Sequence, residues 1–109
     1  MSYGGALSKL SKIALAKAST MAGTATNSGE APLIAEEREA ADRFILQYNR
    51  GGWATDIEDL KKSDMIEIQL GQGSQASAPM KTAAREIDAE MRGIFQLKED
   101  KKLVINILQ

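Results

Sequence analysis

The chain contains no cysteine and no histidine. Without cysteine there is no disulfide framework, no thiol nucleophile and no cysteine-held zinc. Without histidine it lacks the usual general base near neutral pH and the commonest metal ligand. Sites of the Ser-His-Asp or Cys-His type are therefore excluded. Any metal would be a hard cation such as Mg²⁺ or Ca²⁺, held by carboxylates. Aromatic residues make up only 5%, so aliphatic and methionine side chains must fill the core. No uninterrupted run of about 18 apolar residues occurs, so nothing reads as a membrane span. Lys9, Lys12 and Lys17 interrupt the early apolar residues and leave no continuous stretch for a secretory signal. The net charge of −1 gives no general attraction to nucleic acid.

What is present is ordinary globular material. Hydrophobic residues make up 43% and charged residues 27% of 109 positions, the size of one domain. Such a domain buries roughly 60–70% of the surface of its unfolded chain. Charge is unevenly placed. Residues 1–29 carry three lysines and no acid, whereas residues 30–109 carry eleven basic and fifteen acidic groups, a net of −4. A composition break falls at "GTATNSGEAP" (23–32), which has linker chemistry. The expected division is a basic amphipathic arm and linker over 1–29 and a compact domain over 30–109.

In the arm, Leu7, Leu10, Ala14, Ala18 and Met21 recur at helical spacing and define an apolar face. Lys9 and Lys12 lie opposite, and Gly23 is a natural stop. Pro32 can open a second helix, with Leu33, Ala40, Ala41, Phe44 and Tyr48 on one face and a Glu39–Arg43 pair outside. Thr55-x-x-Glu58 has the form of a capping box for a short helix through Lys61. Met65–Leu70 alternates and reads as a half-buried strand. Pro79 begins a third helix to about Arg92, with an outer Asp88–Arg92 pair. "IFQL" and "KLVINIL" flank "KEDKK" and read as an antiparallel hairpin. The fold class expected is α+β: three or four helices on a small mixed sheet, with the N-terminal helical arm attached.

The stretch "MIEIQLGQGSQASAP" (65–79) places Gly71, Gly73 and Ser74 between a strand and a helix. That is the context in which backbone N–H groups cradle phosphate. However, Gly73 is followed by Ser-Gln rather than Lys-Ser/Thr, and a third glycine is replaced by Ala76. The plainer reading is a strand-to-helix connector, with an anion site as the alternative. The segment "MIEIQLGQGS" resembles a strand of the FMN-binding domain of glutamate synthases. The likeness covers ten residues, and a barrel of that kind takes about 250. A chain of this length cannot build one, and the likeness is set aside.

Among carboxylates, Glu36, Glu37 and Glu39 cluster in the first turns of the second helix, where the helix dipole favours them. Glu37 points toward the middle of the apolar face. A carboxylate in that position either curls to solvent, the usual outcome, or is functional with a raised pKa. Glu67 lies on the polar side of its strand. Trp53, in "RGGWAT", is a lid over the core or, with Arg50, an anchor for a partner. The resulting functional expectation is a non-enzymatic interaction module: an adaptor, assembly component or inhibitor, phage-encoded or bacterial, and cytoplasmic, with export by a non-classical bacterial route as the alternative. It would bind a protein partner through Leu7, Leu10, Lys9, Lys12, Arg50 and Trp53, and self-association through the arm is allowed. No catalytic residue, metal or cofactor is expected. The alternatives are an anion or nucleotide binder using Gly71, Gly73 and Ser74, and a weak nucleic-acid contact through the arm lysines.

Overall fold

The computed structural model describes residues 3–4, 6–49, 55–70, 80–82, 87–95 and 105–107. Among them are four helices: α1 (Lys9–Met21), α2 (Ala35–Ala40), α3 (Ile57–Lys61) and α4 (Ala89–Ile94). The strands are β1 (Thr26–Asn27), β2 (Phe44–Tyr48), β3 (Met65–Ile68), β4 (Met80–Thr82) and β5 (Ile105–Ile107). β1, β2 and β3 form a parallel sheet in that order, while β4 and β5 pair antiparallel as a separate ladder. The α+β class is as read from the sequence, with the strands divided between two sheets. Among the described residues no helix is long and apolar enough to cross a membrane.

The parallel sheet follows from a strand that helical periodicity conceals. Residues 32–48 were expected to form one helix, but α2 stops at Ala40 and Ala41 turns extended (φ −105°, ψ 125°). "FILQY" then forms β2, with Phe44 and Leu46 buried on one side. Both a 3.6 and a 2 period fit these apolar positions. Aromatic and β-branched content and pairing with two neighbours decide for the strand. Asp64 pins its start: Phe44 N donates to Asp64 Oδ2 at 2.8 Å, and Asp64 N donates to Phe44 O at 3.0 Å. The Glu39–Arg43 helical pair is lost because Arg43 lies beyond the helix.

Parallel strands need crossover connections, and α2 and α3 supply them. α3 is capped by Asp56, whose carboxylate accepts from Asp59 N at 2.8 Å, not by the expected Thr55–Glu58 box. The expected helix over 79–92 is replaced by β4 and the short α4, and Asp88 caps α4 through Met91 N at 2.7 Å. Among the described residues the expected pairing of "IFQL" with "KLVINIL" does not form: Ile94 ends α4 and β5 pairs with β4. The loop over 98–102 lies outside the described residues.

α1 is capped by Ser8, whose Oγ accepts from Ser11 N at 3.2 Å, and Gly23 follows it in the left-handed region at φ 67°. Its buried side is Lys12, Ala16 and Ser19, not the predicted apolar stripe. Leu10 is 79% and Met21 89% exposed. Small side chains at 16 and 19 let α1 approach closely. Ala16 joins Ala41, Phe44 and Leu46 in one core cluster, with Leu33, Ala40 and Leu60 packed against it. α1 and α2 run the same way, since Lys9 meets Glu36 near their starts and Thr20 Oγ1 donates to Ala40 O near their ends. A second cluster gathers Tyr3, Ala31, Ile34, Ile87 and Phe95. The Tyr3 and Phe95 rings stack there with centroids 5.8 Å apart.

Candidate functional site

Registered neighbours in a sheet share a face. β1–β2–β3 pairing therefore puts Asn27, Ile45, Gln47, Met65 and Glu67 on the face opposite Phe44 and Leu46. Three polar side chains meet across the three strands. Asn27 Nδ2 donates to Glu67 Oε2 at 2.7 Å, and Gln47 Nε2 donates to Glu67 Oε1. Each carboxylate oxygen thus has a donor, and charge-assisted bonds fix its orientation. Just beyond the strand ends, Gln69 Nε2 donates to Glu30 Oε1, while Gln69 N donates to Tyr48 O at 3.0 Å. The cluster lies toward the carboxyl ends of the parallel strands, where sheets of this kind place ligands.

The loop after β1 is tightly specified. Asn27 Oδ1 accepts from Gly29 N at 2.8 Å, an Asx turn. Gly29 sits at φ 68°, a left-handed conformation that favours glycine. Ser28 is fully buried; its Oγ donates to Gly29 O at 3.0 Å and accepts from Gln47 N at 2.9 Å. Beneath this loop lies a buried ion pair. Lys12 is 2% and Glu37 1% exposed, with Nζ 2.9 Å from Glu37 Oε1. The same ammonium donates to Ser28 O at 2.6 Å and Asn27 O at 3.3 Å. Burial pushes the Glu37 carboxyl above the ordinary carboxylate range, and Lys12 pulls it back part of the way. The expectation that Glu37 curls out to solvent is corrected here: the partner that allows its burial comes from α1.

Lys9 bridges three helices, 2.5 Å from both Glu36 of α2 and Glu90 of α4. Glu36 and then Glu90 hold its ammonium above the usual lysine range, and Lys9 holds Glu36 below the usual carboxylate range. These groups are solvent-screened, so the bridge orients more than it stabilises. Of the other candidates, Leu7 is half-buried and paired by a backbone bridge with Tyr3, and Leu10 is exposed. Arg50, Trp53, Gly71, Gly73 and Ser74 lie outside the described residues. No cluster suited to a metal ion occurs among the described residues. Reading 44–48 as helix hid Gln47, and with it the row through Asn27 and Glu67. The signal that could have found it is the polar side of two alternating segments, "FILQY" and "MIEI".

Comparison with known proteins bears on this arrangement. The family described as "Conserved region in glutamate synthase" matches residues 1–104. The glutamate synthase large subunit-like protein of Rhizobium meliloti (strain 1021) is 36% identical over 75 residues, 69% of this chain and 17% of that protein. The archaeal-type glutamate synthase [NADPH] of Thermotoga maritima is 36% identical over 75 residues, 69% of this chain and 15% of its own length. The archaeal glutamate synthase [NADPH] of Methanocaldococcus jannaschii is 32% identical over 99 residues, 91% of this chain and 19% of its own. The chain thus spans less than a fifth of these relatives' lengths. No solved structure gives a significant match.

These matches overturn the non-enzymatic adaptor, the expectation of no enzyme and the generic protein-binding or phage assignment, because the similarity is to an enzyme family. Lack of histidine and cysteine excludes sites made of those residues. It does not exclude a segment that contributes other groups to a larger site. The likeness of residues 65–74 to glutamate synthases, set aside on length alone, holds at the level of the family, since residues 1–104 match its conserved region.

Proposed function

Because this chain belongs to the glutamate synthase family, its residues 1–104 matching that family's conserved region, we propose that it supplies part of the ligand-binding wall of a glutamate synthase. The observation that carries the reading is the Glu67 carboxylate, held by Asn27 and Gln47 on the exposed face of the parallel sheet. A carboxylate fixed in this way attracts N–H donors, ammonium and amide nitrogen above all. An enzyme that forms glutamate must handle the amino nitrogen of its product. Glu30, paired with Gln69 at the same end, adds a second carboxylate.

The likeness of residues 65–74 to an FMN-binding domain brings a flavin into the same reading. Gln47 Oε1 is buried beside this row and has no hydrogen-bond partner among the described residues, so acceptor capacity remains next to Glu67. Asn27, Gln47 and Glu67 would hold the group, which when bound supplies electron transfer to the substrate. The chain's own residues bind and orient. A cytoplasmic location is part of the same proposal.

The test is titration of the full chain with FMN and with L-glutamate, followed by flavin fluorescence and calorimetry. Glu67→Gln removes the charge and keeps the shape, and is expected to weaken binding by about tenfold or more, since hydrogen bonds to charged groups contribute roughly 1.5–3 kcal/mol. Equal affinities in wild type and variant would overturn the role of Glu67.

A further inference from the structure

We infer that Lys12 is the positioning residue of the 27–30 loop: its buried ammonium clamps the backbone carbonyls that carry Asn27 and Glu30 into the ligand wall. Ser28 O at 2.6 Å and Asn27 O at 3.3 Å accept from the ammonium, and Glu37 Oε1 lies 2.9 Å from it as the counter-ion. Neutralising Glu37 does not by itself account for the lysine. An apolar pair of similar volume serves a core as well as a buried ion pair or better. Nor does α1 favour a cation there, since Lys12 lies in its N-terminal half, near the positive end of the helix dipole. What the ammonium adds is a fixed point at the end of β1.

From that point the loop makes contacts that no single strand could supply. Asn27 uses Oδ1 on Gly29 N and Nδ2 on Glu67 at once. Ser28 ties the loop to Gln47 N, and Glu30 receives Gln69. Release of the two carbonyls frees all of these together. As a statement about a ligand-facing loop, the inference rests on the function proposed above.

The experiment compares amide hydrogen exchange in the full chain, without ligand, for wild type, Glu37→Gln and Lys12→Met/Glu37→Gln. Glu37→Gln leaves the ammonium on both carbonyls; the double variant removes it without stranding a charge. The expected result is exchange about tenfold faster or more at Gly29 and Gln47 in the double variant only, with Gln69 N–H unchanged in both. Equal exchange at Gly29 and Gln47 in the two variants overturns the inference. Should the double variant fail to fold, the wild-type ammonium decides. A slowly exchanging Lys12 Nζ signal coupled to the Ser28 carbonyl carbon supports the clamp, and a rapidly exchanging, uncoupled one overturns it. Neither readout involves ligand, so failure here and failure of the titration are separate results.

Discussion

Ser28 shows how much one small side chain can hold. Its hydroxyl is the acceptor for Gln47 N–H and the donor to Gly29 O, in a site with no water access. Ser28→Ala leaves a buried donor unsatisfied, and a loss of about 1–3 kcal/mol is expected. It would read as a lower urea midpoint at unchanged slope. Glu37 makes a different prediction. Folded Glu37 keeps its proton to a higher pH than the unfolded chain does, because burial disfavours its charge. Above the ordinary carboxylate value of about 4.3, the folded state therefore binds more protons, and stability falls as pH rises through that window. Melting curves of wild type and Glu37→Gln across the window check this: the difference should move against wild type as pH rises. A difference that moves in its favour would mean the carboxyl is lowered, not raised.

At the scale of elements, α1 is packed by its small side chains. Ala16→Leu forces extra volume between α1 and the cluster of Ala41, Phe44 and Leu46, at an expected cost of about 1–3 kcal/mol. Leu10→Lys, on the predicted apolar stripe, should change stability by no more than about 0.5 kcal/mol. Denaturant midpoints of the two variants test the reversed face directly. The sequence makes the existence of α1 and β3 readable, because a periodic run with a glycine stop and a clean alternation are local signals. It does not make the buried face of α1 readable. Lys12 looks like a solvent residue until Glu37 and the carbonyls of 27 and 28 are placed beside it, and those contacts are set by the fold. β2 fails for the opposite reason: its five residues satisfy two periods, and only the neighbouring strands choose between them.

At the scale of the molecule, the parallel sheet has one face on helices and the other bearing the polar row. β3 is its last strand among the described residues, with Met65, Ile66 and Ile68 exposed. An exposed apolar edge strand invites pairing. The full chain is expected to self-associate with rising concentration, and Ile68→Lys to reduce this without loss of helix, as sedimentation and circular dichroism would report. The candidate site was legible only in pieces. Glu67 stood out as the polar position of a strand, whereas Asn27 lay in a stretch of linker composition and Gln47 in a supposed helix. Their convergence depends on strand register, which local composition does not carry. Whether this polar face meets the proposed ligands is tested by residue-resolved NMR of the full chain titrated with FMN and with L-glutamate. Shifts are expected to concentrate at Asn27, Glu30, Gln47, Glu67 and Gln69; shifts confined to other surfaces, or none with either ligand, would overturn the proposed ligand wall.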